Sequence, residues 1–210
     1  IGVRLVGSEM CIRDSIRKEK DYKFEYYDQG SHNLITAIHG GGIESGTSEL
    51  AQCIAEKSRS NYFSFKAMKK ENNYDFHVTS THYDYPTLIQ WSQKMKQVIA
   101  IHGVKGNDVI TYVGGRDKEM RNAIIELLNG NGFKAEKAPK RLAGTNPNNI
   151  TNKNARGQGV QLELSTQQRK MLFKNNDFSR SVREKEINWS DDMYLYADSI
   201  CRAIKRGESS

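Results

Sequence analysis

The tetrapeptide Ala-Ile-His-Gly occurs twice, as Ala37-Ile38-His39-Gly40 and as Ala100-Ile101-His102-Gly103. Each copy closes a short apolar run, residues 34–38 and 98–101, and Glu44 follows the first histidine across Gly40-Gly41-Gly42-Ile43. Imidazole nitrogen and carboxylate oxygen are ligands that zinc accepts, and hydrolytic zinc sites keep three of them with one position open to water. Water held there has its pKa lowered to roughly 7 and becomes a usable nucleophile. The pattern nominates His39, Glu44 and His102 as ligands of one zinc ion. A single histidine at a strand end is more often a satisfied polar residue than a ligand. The repeated context and the nearby carboxylate turn that expectation toward a metal.

Glu163, in Gly159-Val160-Gln161-Leu162-Glu163-Leu164-Ser165, is the next candidate. Strand alternation puts Val160, Leu162 and Leu164 on one face and Gln161 and Glu163 on the other. A carboxylate in an apolar strand needs a partner or a purpose. Beside a metal it would serve as general base; otherwise it belongs to the solvated face of an edge strand. His82, in Ser80-Thr81-His82-Tyr83-Asp84, reads either as a substrate contact or as a loop histidine. Lys153 and Arg156 lie just before the Glu163 strand, where a cation could clamp a substrate carboxylate, or stay solvated. Arg116, in Gly114-Gly115-Arg116-Asp117, is a further substrate-contact candidate on a turn that starts a helix.

The elements that must position these residues alternate along the chain. Strands are expected over residues 34–38, 61–65, 75–80, 98–101, 109–113 and 160–164, with 133–136 at an edge, from β-branched and aromatic runs bounded by Gly or polar residues. Helices are expected over 47–59 (capped by Ser45 or Thr47, with Leu50, Cys53 and Ile54 inward), from Pro86 to about residue 94, and over 117–129, 166–174 and 191–205. Residues 141–159, rich in Asn, Gly and Pro, read as a long loop of the kind that is functional or disordered. The interleaving implies a single α/β domain, an open mixed central β-sheet flanked by helices. In such sheets, ligands bind at the carboxyl edge of the strands.

The 210 residues carry a net charge of +7 and a pI of about 9.2. That field favours polyanionic partners. The basic residues are scattered and no nucleic-acid-binding motif is present, so nucleic acid is not the expected partner. No apolar stretch approaches the roughly 20 residues of a membrane helix. Cys11, Cys53 and Cys201 are odd in number and form no close pair, which argues against a disulfide framework or thiolate zinc site. Residues 1–15 resemble a translated sequencing-adapter artefact and are expected to be non-native, with the hydrolase domain over 16–206 and a disordered tail over 207–210. No signal-peptide pattern leads the chain. Cytoplasmic synthesis is expected, and a monomer.

The stretch Ala37-Ile38-His39-Gly40-Gly41-Gly42-Ile43-Glu44, followed by Gly46-Thr47-Ser48-Glu49-Leu50, resembles the signature of the phage-type poly-γ-glutamate hydrolases. These are zinc peptidases related in fold to the carboxypeptidase A group. The similarity continues through residues 77–82, 100–103, 114–117, Asn146-Pro147-Asn148-Asn149-Ile150 and 157–165, covering about residues 18–205. The resemblance implies His39, Glu44 and His102 as zinc ligands, Glu163 as general base, a carboxypeptidase-like fold and cleavage of γ-linked amides between glutamates in an anionic polymer. It also implies release by host lysis as a route to an external substrate. Thr151-Asn152-Lys153 departs from the pattern: Lys153 stands where an arginine is expected, which would alter substrate preference. Two other readings keep part of this pattern: a zinc peptidase acting on peptidoglycan or other acidic peptides, and a non-catalytic polyanion-binding domain.

Overall fold

A computed structural model describes residues 19–208, so Cys11 and the segment 1–15 lie outside the described residues. Among the described residues seven strands form one sheet: β1 Tyr22–Tyr27, β2 Asn33–Gly41, β3 Asn61–Ala67, β4 Gln97–Val104, β5 Thr111–Gly115, β6 Ala135–Lys137 and β7 Val160–Ser165. Their order is β1-β3-β2-β4-β7-β5-β6. The central β3, β2, β4 and β7 run parallel, β1 is antiparallel to β3, and β5 is antiparallel to β7 while parallel to β6. The helices are α1 Thr47–Ser58, α2 Pro86–Lys94, α3 Lys118–Gly130, α4 Thr166–Met171, a single turn α5 Arg180–Arg183, and α6 Asp191–Glu208. This is the single α/β domain with a mixed sheet that the alternation of elements implies. No helix among the described residues is long and apolar enough to cross a membrane.

The two faces of the sheet are covered differently. On one, Leu50 and Ile54 of α1, Ile124 and Leu128 of α3 and Met193, Tyr196 and Ile200 of α6 pack on Ile35, Ile99, Ile101, Leu162 and Leu164. This large apolar layer supplies the main driving force for folding. Cys53 and Cys201 are free thiols within it. The other face carries a smaller cluster, Leu34, Ile38, Phe63 and Val98, roofed by Leu88 of α2, Tyr83 and Ile150. Because that roof is made mostly of loops, this face can hold a polar site.

Several local expectations are corrected. Residues 75–80 form no strand: a 3-10 turn at Asn73–Phe76 leads into extended chain that pairs with no strand among the described residues. Neither Ser45 nor Thr47 caps α1; Gly46, at φ 93°, takes the cap position with no side-chain bond. Residues 141–159 are tightly built, with 3-10 turns at Lys140–Leu142 and Ile150–Lys153 and buried Asn149, Thr151, Asn152 and Asn154. The last helix continues through Glu208, past the tail expected from 207, and Asn33 donates to Glu208 at 2.7 Å.

Candidate metal centre

His102 and Glu163 are register partners on the adjacent parallel strands β4 and β7. Residues so aligned project from the same face, and Val98, two positions-pairs before His102, belongs to the loop-covered cluster. His39 reaches that face by a different route. Strict alternation along β2 would send it with Ile35 and Ala37 toward the helices. Between Ala37 and Gly40, however, the β2–β3 register shifts, so that three steps on β2 match two on β3. Such a bulge re-aims a side chain, and His39 Nδ1 comes within 3.1 Å of His102 Nδ1. The β2–β4 ladder ends at Thr36 and Ala100, so both histidines project where those strands are no longer paired.

Glu44 is returned to the same point by the glycine turn. Its N–H donates to the His39 carbonyl at 2.9 Å. Gly41 adopts φ 65°, and a side chain at Gly40 would strike Ser48, Ser64 and the Phe65 carbonyl. The Glu44 carboxylate lies 3.2 Å from His39 Nδ1 and 3.6 Å from His102 Nδ1, and it accepts the Gly103 N–H at 2.8 Å. Burial pushes this carboxyl up, but hydrogen bonds from His102 and His39 and their charges outweigh it and hold it well below the usual range. Burial lowers the basicity of His102, yet the bond to Glu44 and the charges of Glu163 and Glu44 leave it raised. Glu163 is raised, chiefly by burial.

These three groups fit a divalent cation. Ligands at about 2.0–2.1 Å in a tetrahedron are about 3.3 Å from one another, which matches 3.1, 3.2 and 3.6 Å. His39 Nε2 faces the Val78 carbonyl at 2.7 Å. A carbonyl only accepts, so Nε2 of His39 carries a proton, and Nδ1 is the nitrogen turned toward the Glu44 carboxylate. A histidine ligand held through its other nitrogen by a backbone carbonyl is the usual support of a metal site. His102 is 2% exposed and its Nε2 has no partner among the described residues, a cost that an additional polar ligand in the site would offset.

Two residues that sequence reasoning passed over also belong to the centre. The half-buried His77 stacks on His39 with ring centroids 4.0 Å apart and on Tyr74 at 4.8 Å. One nitrogen of His77 lies within 4.8 Å of ligand atoms of His39 and Glu44, so it offers a second way to complete a three-ligand set. Its chain segment is not strand, and no spacing rule brings it there. Arg169 of α4 is 6% exposed beneath the site. It donates to the Ser45 carbonyl at 2.7 Å and the Leu164 carbonyl at 3.3 Å, and its charge acts on Glu44 and Glu163.

The substrate-contact candidates are spread over separate loops. His82 is exposed and bonded through Nδ1 to the Thr79 hydroxyl at 2.9 Å. Arg116 is exposed on the turn from β5 into α3, just after Gly115, which pairs with Val160 at the start of β7. Lys153 ends a 3-10 turn whose next residues bond to Met95 and Lys96, before β4 begins. Arg156 pairs with Asp117 at 3.0 Å. It lines a cleft of about 1070 Å³ with Asn33 and Gln97, the first residues of β2 and β4, away from the histidines. In that cleft Arg156 pairs with Asp117, and Arg206, another of its lining residues, pairs with Glu126. Besides the buried Arg169, a cation whose field reaches Glu163 is Arg141, exposed on the turn Lys140–Leu142.

The chain resembles known proteins over most of its length. The SPbeta prophage-derived UPF0714 protein YoqZ of Bacillus subtilis (strain 168) is 45% identical over 157 residues, 74% of this chain and 56% of that protein. The chain therefore spans little more than half of YoqZ. YndL of the same organism is 36% identical over 187 residues, 88% of this chain and 72% of YndL. Among solved structures, a bacteriophage poly-gamma-glutamate hydrolase superposes with a TM-score of 0.89 at 34% identity, covering 94% of this chain and 95% of that one. A zinc-free apo form of YndL superposes with a TM-score of 0.85 at 33% identity, covering 93% and 95%. The poly-gamma-glutamate hydrolase family matches residues 11–199, and with that span the chain belongs to this family.

Proposed function

We propose that this protein is a zinc-dependent hydrolase that cleaves γ-glutamyl amide bonds of poly-γ-glutamate. The observation that carries the reading is the meeting of His39 Nδ1, His102 Nδ1 and Glu44 at separations that would suit zinc ligands, with the buried Glu163 beside His102. Family membership supports the substrate, and the zinc-free description of YndL supports the metal. One ion would be held by His39, Glu44 and His102, while His77 stacks against His39.

When bound, zinc supplies a Lewis acid and a water of lowered pKa. The chain does the rest. Glu163 takes the proton of the attacking water and passes it to the departing nitrogen, so the amide C–N bond breaks to a carboxylate and an amine. Burial suits it to this exchange, because a carboxylate of raised pKa is a stronger base toward the attacking water. Val78 holds His39 in one tautomer, and Gly103 holds Glu44. Arg141 sits where it can meet a substrate carboxylate, and the +7 net charge steers a polyanion toward the protein in a salt-dependent way.

The test is chain-length analysis of poly-γ-glutamate incubated with the protein, with chelator, and with chelator followed by zinc. Shortening that chelator stops and zinc restores supports substrate and metal together, and Glu163→Gln should then reduce it roughly 10²–10⁴-fold. An intact polymer after incubation with folded, zinc-loaded protein overturns the substrate assignment.

A further inference from the structure

Glu163 is the terminus of a chain of hydrogen bonds whose direction is set by the backbone. The Thr151 N–H donates to Asn149 Oδ1 at 3.1 Å, and the Thr151 hydroxyl donates to the same oxygen at 2.6 Å. An N–H can only donate, so this atom of Asn149 is the oxygen and its amide nitrogen points the other way. That nitrogen donates to Gln161 Oε1 at 2.8 Å. Gln161 must then turn its own nitrogen outward, and Nε2 donates to the Leu142 carbonyl at 3.1 Å and to Glu163 Oε1 at 3.0 Å. Every amide orientation along the path follows from the first N–H.

The path is buried throughout. Thr151 is 0% exposed, Asn149 4%, Gln161 5% and Glu163 9%. It is also built tightly: a side chain at Gly144, which sits at φ 60°, would strike the Gln161 amide. Asn152 ties the loop to itself by donating to the Gly144 and Asn146 carbonyls at 2.8 and 2.9 Å. No donor among the described residues reaches Glu163 Oε2. One oxygen of the carboxylate is thus held as an acceptor and the other stays available. Asn149 lies in Asn146-Pro147-Asn148-Asn149-Ile150 and Gln161 in the strand that bears Glu163.

We infer that Gln161 is the positioning residue of Glu163 and that Asn149 sets its polarity, so that the Asn-rich loop exists to aim the base. The inference rests on the reading of Glu163 as general base. Gln161 touches neither substrate nor metal; it acts through the orientation of one carboxylate oxygen. Asn149→Asp is the sharpest perturbation. It keeps the acceptor for Thr151 and removes the donor to Gln161, so the Gln161 amide is released to rotate and present its oxygen to Glu163.

The experiment compares wild type, Asn149→Asp, Gln161→Leu, the double variant and Glu163→Gln on poly-γ-glutamate, with bound zinc per chain and melting temperature measured for each. For both single variants kcat is expected to fall by roughly 10–100-fold, part of what a general base contributes, with KM within about twofold and full zinc content. The double variant should be no slower than the slower single one, because both changes break the same path. Unchanged kcat in either folded, zinc-loaded single variant overturns the inference, and so do losses that multiply in the double variant. Should Gln161→Leu fail to fold, Asn149→Asp alone decides by its kcat and KM. Glu163→Gln separates the two levels: if it stays active, the base assignment itself fails; if it is inactive while Asn149→Asp is unimpaired, only the positioning role fails.

Discussion

Gly103→Ala tests how closely the site is packed against its buried arginine. A Cβ at Gly103 would stand 2.6 Å from Cζ and 2.7 Å from Nε of Arg169. That guanidinium is the end of a flexible side chain, but it is fixed by the Ser45 carbonyl at 2.7 Å, the Leu164 carbonyl at 3.3 Å and the Thr166 hydroxyl at 3.5 Å. It must shift, and overpacking a well-filled site costs about 1–3 kcal/mol. Loosening a charged donor from its carbonyl costs about 1.5–3 kcal/mol more. The roughly 0.4–1 kcal/mol gained from a stiffer unfolded chain opposes this only in part. With relaxation trading one cost against the other, a net loss of about 2–4 kcal/mol is expected, which for a chain of this size is about 4–16 °C in melting temperature. Ser45 follows Glu44, so the same shift should weaken metal binding, read by competition with a chelator. In an Arg169→Ala background the three closest contacts of the added methyl are gone, and Gly103→Ala should there cost less than about 1 kcal/mol. A Gly103→Ala protein melting within about a degree of the parent refutes the packing argument, as does an equal cost in both backgrounds.

Two further outcomes follow from the charges. Arg141→Ala should raise KM for poly-γ-glutamate several-fold at low salt, with the difference shrinking as salt is added, whereas Arg156→Ala, paired with Asp117 at 3.0 Å away from the histidines, should leave KM unchanged. Equal effects of the two variants on KM would remove the distinction drawn between them. Burial pushes the Glu25 carboxyl up, but the charges and hydrogen bonds of Lys66 and Lys23 outweigh it and leave it lowered. A carboxyl lowered by folding contributes stability above its unfolded pKa, about 4.3, and loses it as pH falls toward the folded value. The drop in melting temperature below about pH 5 should therefore be shallower in Glu25→Gln, and parallel curves for the two proteins would contradict this.

Sequence periodicity was enough to place most elements, because they are set by local rules. Pro86 starts α2, Asp117 caps α3 through the Met120 N–H at 3.0 Å, and the apolar runs around Leu34, Val98 and Val160 became the central parallel strands. The failure at residues 75–80 has a physical cause. Alternating side chains suit a strand only where a neighbouring edge offers hydrogen bonds, and β3, the nearest strand in sequence, is already paired on both sides by β1 and β2.

The chemistry divides along the same line. Residue types and the doubled Ala-Ile-His-Gly nominated His39, Glu44, His102 and Glu163, because ligand chemistry is a property of the side chains and Gly-rich turns announce themselves. Alternation on β7 also put Gln161 on the Glu163 face. Only the tertiary structure decided that a register shift turns His39 to that face, that His77 stacks upon it, and that Arg169 lies beneath it. It likewise decided that Arg141 rather than Arg156 lies within electrostatic reach of Glu163. These are consequences of how strands pair and loops close over long sequence separations. A sequence states what each side chain can do; which side chains meet is fixed by the packing of the whole chain.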